Sequence, residues 1–336
     1  MEHYEDAGRM RDAVAMLRSV IEKQAVVRHG GGDHDAIGLA RQGSRAAACV
    51  LKVRNGTLVG RRTFFFEDPL GDERREIEEL LVQRYSEAAE IPPAIYVRIA
   101  PEGKTSVEEL LRERRGAKVS ITVPGRGHML RLVELARTNA REALALKSRT
   151  REVSDILERL GRALKLSHPP ELIECVDISN LSGREAVGSL VSFACGEPDK
   201  SRYRIYNIRT LDTPDDYGMM REVISRRFRP EVPLRGSKGE GGRMPPDLLL
   251  VDGGKGQLAI AERVLKENGV CVAVAAIAKG EKKGEADKIF IPGRKNPVKF
   301  KRGSRELLLL QRIRDEAHRF GINAHRRKRS KAALGS

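Results

Sequence analysis

The chain has 336 residues, enough for two or three domains with cores of their own, and its 40% hydrophobic and 33% charged residues make an ordinary globular composition, not a disordered one. No apolar run approaches the ~20 residues of a membrane span, and the polar opening MEHYEDAGRMRD is not a secretory signal. The formal net charge of +16, with 4% aromatic residues and no Trp, points to a polyanion held by its backbone and away from a base-stacking platform.

Residues 5–24, EDAGRMRDAVAMLRSVIEKQ, put Val14, Leu17, Val20 and Ile21 at the spacing of one helical face. The next stretch, RHGGGDHD, carries His and Asp, but its three consecutive glycines predict a linker, not a metal site. Two longer segments then repeat one order of elements. The first has strands at 36–40, 46–53 and 58–66, a helix at 73–88, a strand at 94–99, a helix at 106–116, a strand at 118–123 and a long helix from about Gly127. The second has strands at 172–179, 186–195 and 202–210, a helix at 214–228 with Thr213 as N-cap and Pro214 at its first position, and a strand at 247–252. A helix at 256–269, a strand at 271–278, a loop-rich insertion and a last helix from near Gly303 follow.

Three successive strands predict an antiparallel meander, and strands joined through helices predict parallel pairs. The fold class expected is α/β: two RNase H-like units in tandem, each a mixed five-stranded sheet flanked by helices. The expected boundaries are a helical motif at 1–28, a linker at 29–35, a first, degenerate unit at 36–150, a second unit at 165–325 and a basic tail at 326–336. Cys49, Cys175, Cys195 and Cys271 form no CxxC pair, so neither a zinc site nor a disulfide framework is expected. They read as buried free thiols, which suits a reducing cytoplasm.

The chemistry starts at Asp177, a carboxylate inside the apolar strand LIECVDIS, where a charge is costly unless paired. Asp252 ends the apolar strand DLLLVD just before two glycines. In the expected sheet these strands are parallel neighbours, so the two acids meet at its carboxyl edge. Two adjacent carboxylates repel unless a cation lies between them, and hard oxygen ligands suit Mg²⁺ or Mn²⁺. Two-metal nucleases use such a site to clamp the attacking and leaving oxygens of a phosphodiester. In ELLLLQRIRDEAHRF, His318 borders the apolar stripe of Leu310, Ile313, Ala317 and Phe320, where it can reach the site as a third ligand. Asp216 is a further candidate, although a carboxylate in a first helical turn is also explained by the helix dipole.

VDGGKGQ lacks the spacing of a nucleotide-binding loop and has Gln257 where the hydroxyl belongs. It reads as a strand-to-helix turn whose N–H groups and Lys255 meet a DNA phosphate. Arg314 and the tail residues Arg326, Arg327, Lys328 and Arg329 are the other candidate phosphate contacts. In the first segment, offsets from the turn glycines place Ile37 opposite Asp177, Arg98 opposite Asp252, and Arg141 or Glu142 opposite His318. Asp35 lies near the first position without a partner acid. That copy is expected to be a metal-free, inactive platform.

ECVDISNLSG, YRIYNIRTLDTPDDYGMMREVISRRF, PDLLLVDGGKGQL and LLLLQRIRDEAHRFGINAHRRKRSK together resemble the C-terminal half of the UvrC family, in the family's order and over roughly residues 165–332. The preceding segment resembles the family's middle region. The opening helix resembles the second half of the UVR motif, a helical hairpin that contacts UvrB. The resemblance implies an RNase H-like, Mg²⁺- or Mn²⁺-dependent DNA endonuclease that incises 5′ to a lesion in bacterial nucleotide excision repair. Its Asp-Asp-His metal site would fall on Asp177, Asp252 and His318, with Asp216 as the additional acid. Damaged double-stranded DNA and UvrB would be its partners, and the cytoplasm its location, with no membrane involved. No stretch matches the family's GIY-YIG domain or its helix-hairpin-helix modules, so dual incision is not expected of this chain. The alternative is a non-catalytic scaffold of the same fold that docks DNA or UvrB.

Overall fold

The computed structural model describes residues 32–67, 72–86, 90–179, 187–208, 215–229, 244–280 and 285–334. The helix expected over 5–24, and Thr213 and Pro214, lie outside them. The chain divides into two compact units between Arg149 and Thr150.

The first unit opens with β1 (His34–Gln42), β2 (Arg45–Arg54) and β3 (Thr57–Glu67). β1 starts at His34, so the end of the expected linker is already strand. Asn55 and Gly56, with φ of 51° and 76°, make the left-handed two-residue turn between β2 and β3 that matches the twist of paired strands. Next come α1 (Glu73–Ser86), β4 (Ala94–Val97), α2 (Lys104–Arg115), β5 (Ser120–Thr122) and α3 (His128–Leu164), whose residues from Thr150 on belong to the second unit. The sheet order is β3-β2-β1-β4-β5, antiparallel through the meander and parallel from β1 to β5.

Each face of this sheet buries its own core. Ile37 and Leu39 pack with Ile77, Leu80, Leu81 and Tyr85 of α1 and with Val107 and Leu111 of α2. On the other face, Ala36, Ala40, Ala47 and Cys49 meet Leu132, Val133, Ala136 and Ala140 of α3. The small residues there let the helix lie close to the strands. Asp35 is fully buried, and Arg54 Nη1 at 2.8 Å and the Tyr85 hydroxyl at 2.6 Å both donate to its carboxylate. It is a paired structural acid, as buried charges usually are.

In the second unit the end of α3 is followed by β6 (Leu172–Ser179), β7 (Val187–Ala194) and β8 (Glu197–Pro198). A 3₁₀ turn and β9 (Arg204–Asn207) follow, so the third strand expected over 202–210 is realised as four residues. Then come α4 (Asp216–Arg227), β10 (Leu248–Asp252), α5 (Lys255–Glu267), β11 (Ala273–Ala278), β12 (Lys288–Phe290) and α6 (Arg305–Leu334). The α4 cap is Asp215, whose carboxylate accepts from the Tyr217 amide at 3.1 Å; the helix starts two residues later than expected. The basic tail is not separate, because α6 continues to Leu334.

Among the described residues the second sheet has seven strands where five were expected, in the order β12-β11-β10-β6-β7-β8 with β9 also on β7. β8 and β12 are the additions, each too short to carry a periodic signal. Within the order β9-β7-β6-β10-β11 the topology of the first sheet recurs. Val176, Leu249 and Val251 face α4 and α5. Ile173, Cys175, Leu248 and Leu250 face Leu307, Leu310, Ile313 and Ala317 of α6, joined by Leu157, Leu160 and Leu164 of α3. Cys49 and Cys175 are buried as expected, whereas Cys195 and Cys271 are exposed. Cys195 stands at φ 46° in the turn from β7 to β8, which turns it out of the sheet. No described helix is long and apolar enough to cross a membrane.

Candidate metal centre

β6 and β10 pair in parallel from Ile173 opposite Leu248 to Val176 opposite Val251. One residue further along each strand stands an aspartate, Asp177 and Asp252. Strand alternation puts both on the side of Cys175 and Leu250, facing α6. On that helix Leu310, Ile313 and Ala317 are fully buried, and His318 follows directly. Ser189 pins the helix there. It lies opposite Asp177 in the β6–β7 pair and donates its buried hydroxyl to the Ala317 carbonyl at 2.9 Å.

His318 Nδ1 is then 3.7 Å from Asp177 Oδ2, with His318 60% exposed and the Asp177 side chain 7% exposed. One ligand atom from each of Asp177, Asp252 and His318 lies within 4.8 Å of the others. That is about twice the ~2.0–2.6 Å reach of a bond from Mg²⁺ or Ca²⁺ to oxygen, so the three atoms can surround one ion. The closed side is the sheet, and the open side is at the histidine.

The electrostatics single this pair out. Glu174, also on β6 but facing the other core, is 1% exposed and receives a two-pronged bond from Arg227 at 2.9 and 3.0 Å. Asp252 instead meets a second carboxylate. Burial, and after it the charge of Asp177, pushes the Asp252 carboxyl up to about 6, against the pull of Arg314 and His318; a hydrogen bond with Asp177 adds to the rise. Proton and cation are alternative answers to the same repulsion. Two carboxylates and an imidazole fit a hard divalent ion. Beneath them, burial first and then both aspartates push the Cys175 thiol well above its ordinary range, so it packs as an inert neutral group.

Arg314 stands one turn before His318, but its fork is engaged inside the protein. Nη1 donates to Asp287 Oδ2 at 2.6 Å, while Nε and Nη2 donate to Asp315 Oδ1 at 3.1 and 2.7 Å. Asp287 also accepts from Gln311 at 2.8 Å and from the Gly280 amide at 3.2 Å. Burial raises its proton affinity, yet these bonds and the Arg314 charge hold it below the ordinary carboxylate value. The guanidinium is therefore a fixed positive charge beside Asp252.

In the turn after Asp252, the Gly253 amide donates to Ile277 O at 2.9 Å and the Gly254 amide to Gln257 Oε1 at 3.0 Å. These two N–H groups are spoken for, contrary to the expectation that the loop's amides face a phosphate. Lys255 remains exposed at the head of α5, its Nζ 5.5 Å from the centre of the Phe290 ring. Asp216 is exposed at the first position of α4 and is not one of the three clustered ligands. The Tyr217 hydroxyl occupies the space a Cβ at Gly256 would need, 2.4 Å away, so the head of α4 abuts the turn that follows Asp252. Arg326 is exposed on α6, and the backbone of Arg327, Lys328 and Arg329 continues that helix.

Ser189, Tyr217 and Asp287 escape a reading of the sequence. Ser189 could have been found from the register of a β6–β7 hairpin, since it is a polar residue on an inward-facing position opposite Asp177. Nothing local marks Asp287, whose partners Gln311 and Arg314 are more than twenty residues away.

The family profile of the UvrC RNAse H endonuclease domain matches residues 161–322, and that of the UvrC Ribonuclease H-like domain matches residues 33–147. UvrABC system protein C of Desulfotalea psychrophila is 42% identical over 337 residues, covering 99% of this chain and 54% of that protein. Its counterpart from Desulfatibacillum aliphaticivorans is 42% identical over 335 residues, covering 98% and 54%. The chain thus spans about half the length of the curated relatives it matches. Among solved structures, Ciona intestinalis endonuclease V bound to a 23mer DNA containing an inosine overlaps 44% of this chain and 74% of its own, at 10% identity. The TM-score of that overlap is 0.27, too low to bear on function.

Proposed function

The chain belongs to the UvrC family, and on that premise we propose that its second unit is a metal-dependent endonuclease. It hydrolyses a DNA phosphodiester 5′ to a lesion during nucleotide excision repair in the cytoplasm, acting with UvrB. The observation that carries this reading is the convergence of Asp177, Asp252 and His318 within 4.8 Å on the carboxyl edge of the sheet. Bound Mg²⁺ or Mn²⁺ supplies a Lewis acid for the scissile phosphate and makes a nucleophile available at neutral pH. Asp177 and Asp252 hold the ion from rigid strands, and His318 completes its ligands from α6. Arg314, fixed by Asp287, tempers the negative charge of the site before the ion arrives. Lys255 meets a phosphate on the open side, and Asp216 stands at the rim as an additional acid. The segment preceding residue 32 carries the UvrB contact.

The test is strand cleavage of a duplex with one defined lesion, with UvrB present. Cleavage 5′ to the lesion in Mn²⁺ and none in EDTA is the expected result. Full DNA and UvrB binding without cleavage in any divalent ion would leave a docking scaffold instead.

The basic end of α6 serves affinity, not chemistry. Replacing Arg326, Arg327, Lys328 and Arg329 by Gln should weaken DNA binding equally for all sequences, because phosphate contacts read no bases. The slope of log K against log salt should flatten by about 0.9 for each phosphate no longer neutralised. An unchanged slope in a binding series from low to moderate salt would refute it.

A further inference from the structure

Because the two units share one topology, the positions that hold the aspartates in the second can be located in the first by register alone. β1 pairs with β4 in parallel from His34 opposite Ala94 to Ile37 opposite Val97. One residue beyond stand Gly38 and Arg98, as Asp177 and Asp252 stand one residue beyond Val176 and Val251. The counterpart of Asp177 is therefore Gly38, not the Ile37 obtained by counting from turn glycines.

Gly38 lies under α3, where a Cβ would come within 2.0 Å of the Arg137 backbone nitrogen. Helix backbone fills the space a carboxylate would take. Arg137 follows the fully buried Ala136 just as His318 follows the fully buried Ala317, so Arg137, not Arg141 or Glu142, is the counterpart of His318. Arg98 Nε is 3.1 Å from Glu134 Oε1, and Arg137 Nη1 is 3.8 Å from Glu134 Oε2. Two guanidinium groups thus share one carboxylate, all three side chains 40–47% exposed. Arg126, exposed in the loop that leaves β5, belongs to the same edge of the sheet. Where the second unit gathers anions, the first gathers cations.

We propose that this edge of the first unit binds a backbone phosphate of DNA directly, with the Arg98–Arg137 pair in the place of the metal. The DNA ligand rests on the nuclease reading; the phosphate chemistry rests on the arginines. Guanidinium forks match phosphate oxygens in pairs and need no metal to do so. Exposed ion pairs contribute little to stability, so Glu134 yields its partners to a phosphate at little cost. The carboxyl ends of parallel strands are also where open α/β sheets receive ligands.

The test is fluorescence anisotropy of a labelled duplex with the whole chain in EDTA across a salt series. Arg98→Gln with Arg137→Gln should lower the salt slope by up to about 2, and the corresponding Lys pair should keep most of it. Glu134→Gln should tighten binding several-fold, since it removes the internal competitor. An unchanged slope in a double Gln variant that melts like wild type overturns the proposal, and so does weaker binding by Glu134→Gln. If the double Gln variant does not fold, Glu134→Gln decides alone. Because no metal is present, wild-type chain that fails to cleave in Mn²⁺ while these shifts appear counts only against the nuclease reading.

Discussion

Asp252→Asn should produce a chain that is more stable than wild type in EDTA at pH 7.5 and almost inactive in Mn²⁺. In the metal-free fold the Asp252 carboxyl titrates at about 6, against 3.8 for a free one. The unfolded chain therefore gives up this proton at lower pH than the folded chain does. Between pH 3.8 and about 6 the folded state binds more protons, so stability falls as pH rises through that window. The full penalty is present above it, on the order of 2–3 kcal/mol. Asn carries no charge and removes the penalty, and its amide can donate to Asp177. The variant should melt roughly 5 °C higher in EDTA, and the part of the wild-type pH dependence that Asp252 causes, a loss of stability from pH 3.8 to about 6, should be missing from it.

Wild type should recover the difference on adding Mn²⁺, since an ion bound to the native state alone stabilises by about 2.7 kcal/mol at a hundred times its Kd. The variant should show no such rise. Its cleavage rate should drop by more than about 100-fold, because even groups that merely orient a metal ligand are worth 10–100-fold. Thermal melts with and without Mn²⁺, read beside the cleavage assay, check all of this. A variant that is less stable in EDTA than wild type would mean that Asp252 is not held against a second negative charge.

This trade between stability and activity explains why the site was the most legible part of the sequence. DLLLVD is unbroken apolar strand up to an acid placed before Gly-Gly, and the acid in LIECVDIS sits in an equally apolar setting. Packing does not call for either charge, so each asks for a partner. His318 was legible from helical phase, because Leu310, Ile313 and Ala317 set the buried stripe it borders. Glu174 shows the limit of such reasoning. It is as buried as Asp177 and lies on the same strand, but Arg227, more than fifty residues on, neutralises it from α4.

Other features were illegible for identifiable reasons. The α4 cap was misplaced by two residues because TPDD offers several capping side chains in succession. β8 and β12 span two and three residues, too few for a period of two to show. Counting from turn glycines missed Gly38 by one position. Only two residues separate β1 from β2, whereas seven separate β6 from β7, so equal offsets do not mean equal register.

Gly38→Ala should be among the most damaging single-methyl changes in the molecule, and it should damage the first unit alone. Its Cβ would stand 2.0 Å from the Arg137 nitrogen, 2.5 Å from the Arg137 Cα and 2.6 Å from the Ala136 carbonyl carbon. All three are backbone atoms of a long helix packed on its sheet, so no side chain can swing aside. Overpacking a core costs typically ~1–3 kcal/mol when side chains can adjust, and here α3 itself must lift, so about 3 kcal/mol or more is expected. That corresponds to a melting shift of roughly 10 °C for a unit of this size. Hydrogen exchange followed by mass spectrometry should show amides of β1, β2 and α3 up to Leu144 losing protection, while those of β6, β10 and α6 keep theirs. Gly60→Ala is the control. Gly60 lies in β3 with no atom within 4 Å of where a Cβ would stand and no positive φ, so alanine there should be neutral or slightly stabilising. Should Gly38→Ala prove as harmless as Gly60→Ala, the close seating of α3 on β1 would be wrong. The same geometry bears on whether the first unit could be given a metal site. Gly38→Asp puts the missing carboxylate at the right register, but it adds three more atoms to a place that does not admit one. It should fail to fold, not bind Mn²⁺. A helix closed onto β1 leaves no room for a ligating side chain at position 38, and substituting one there cannot reopen it.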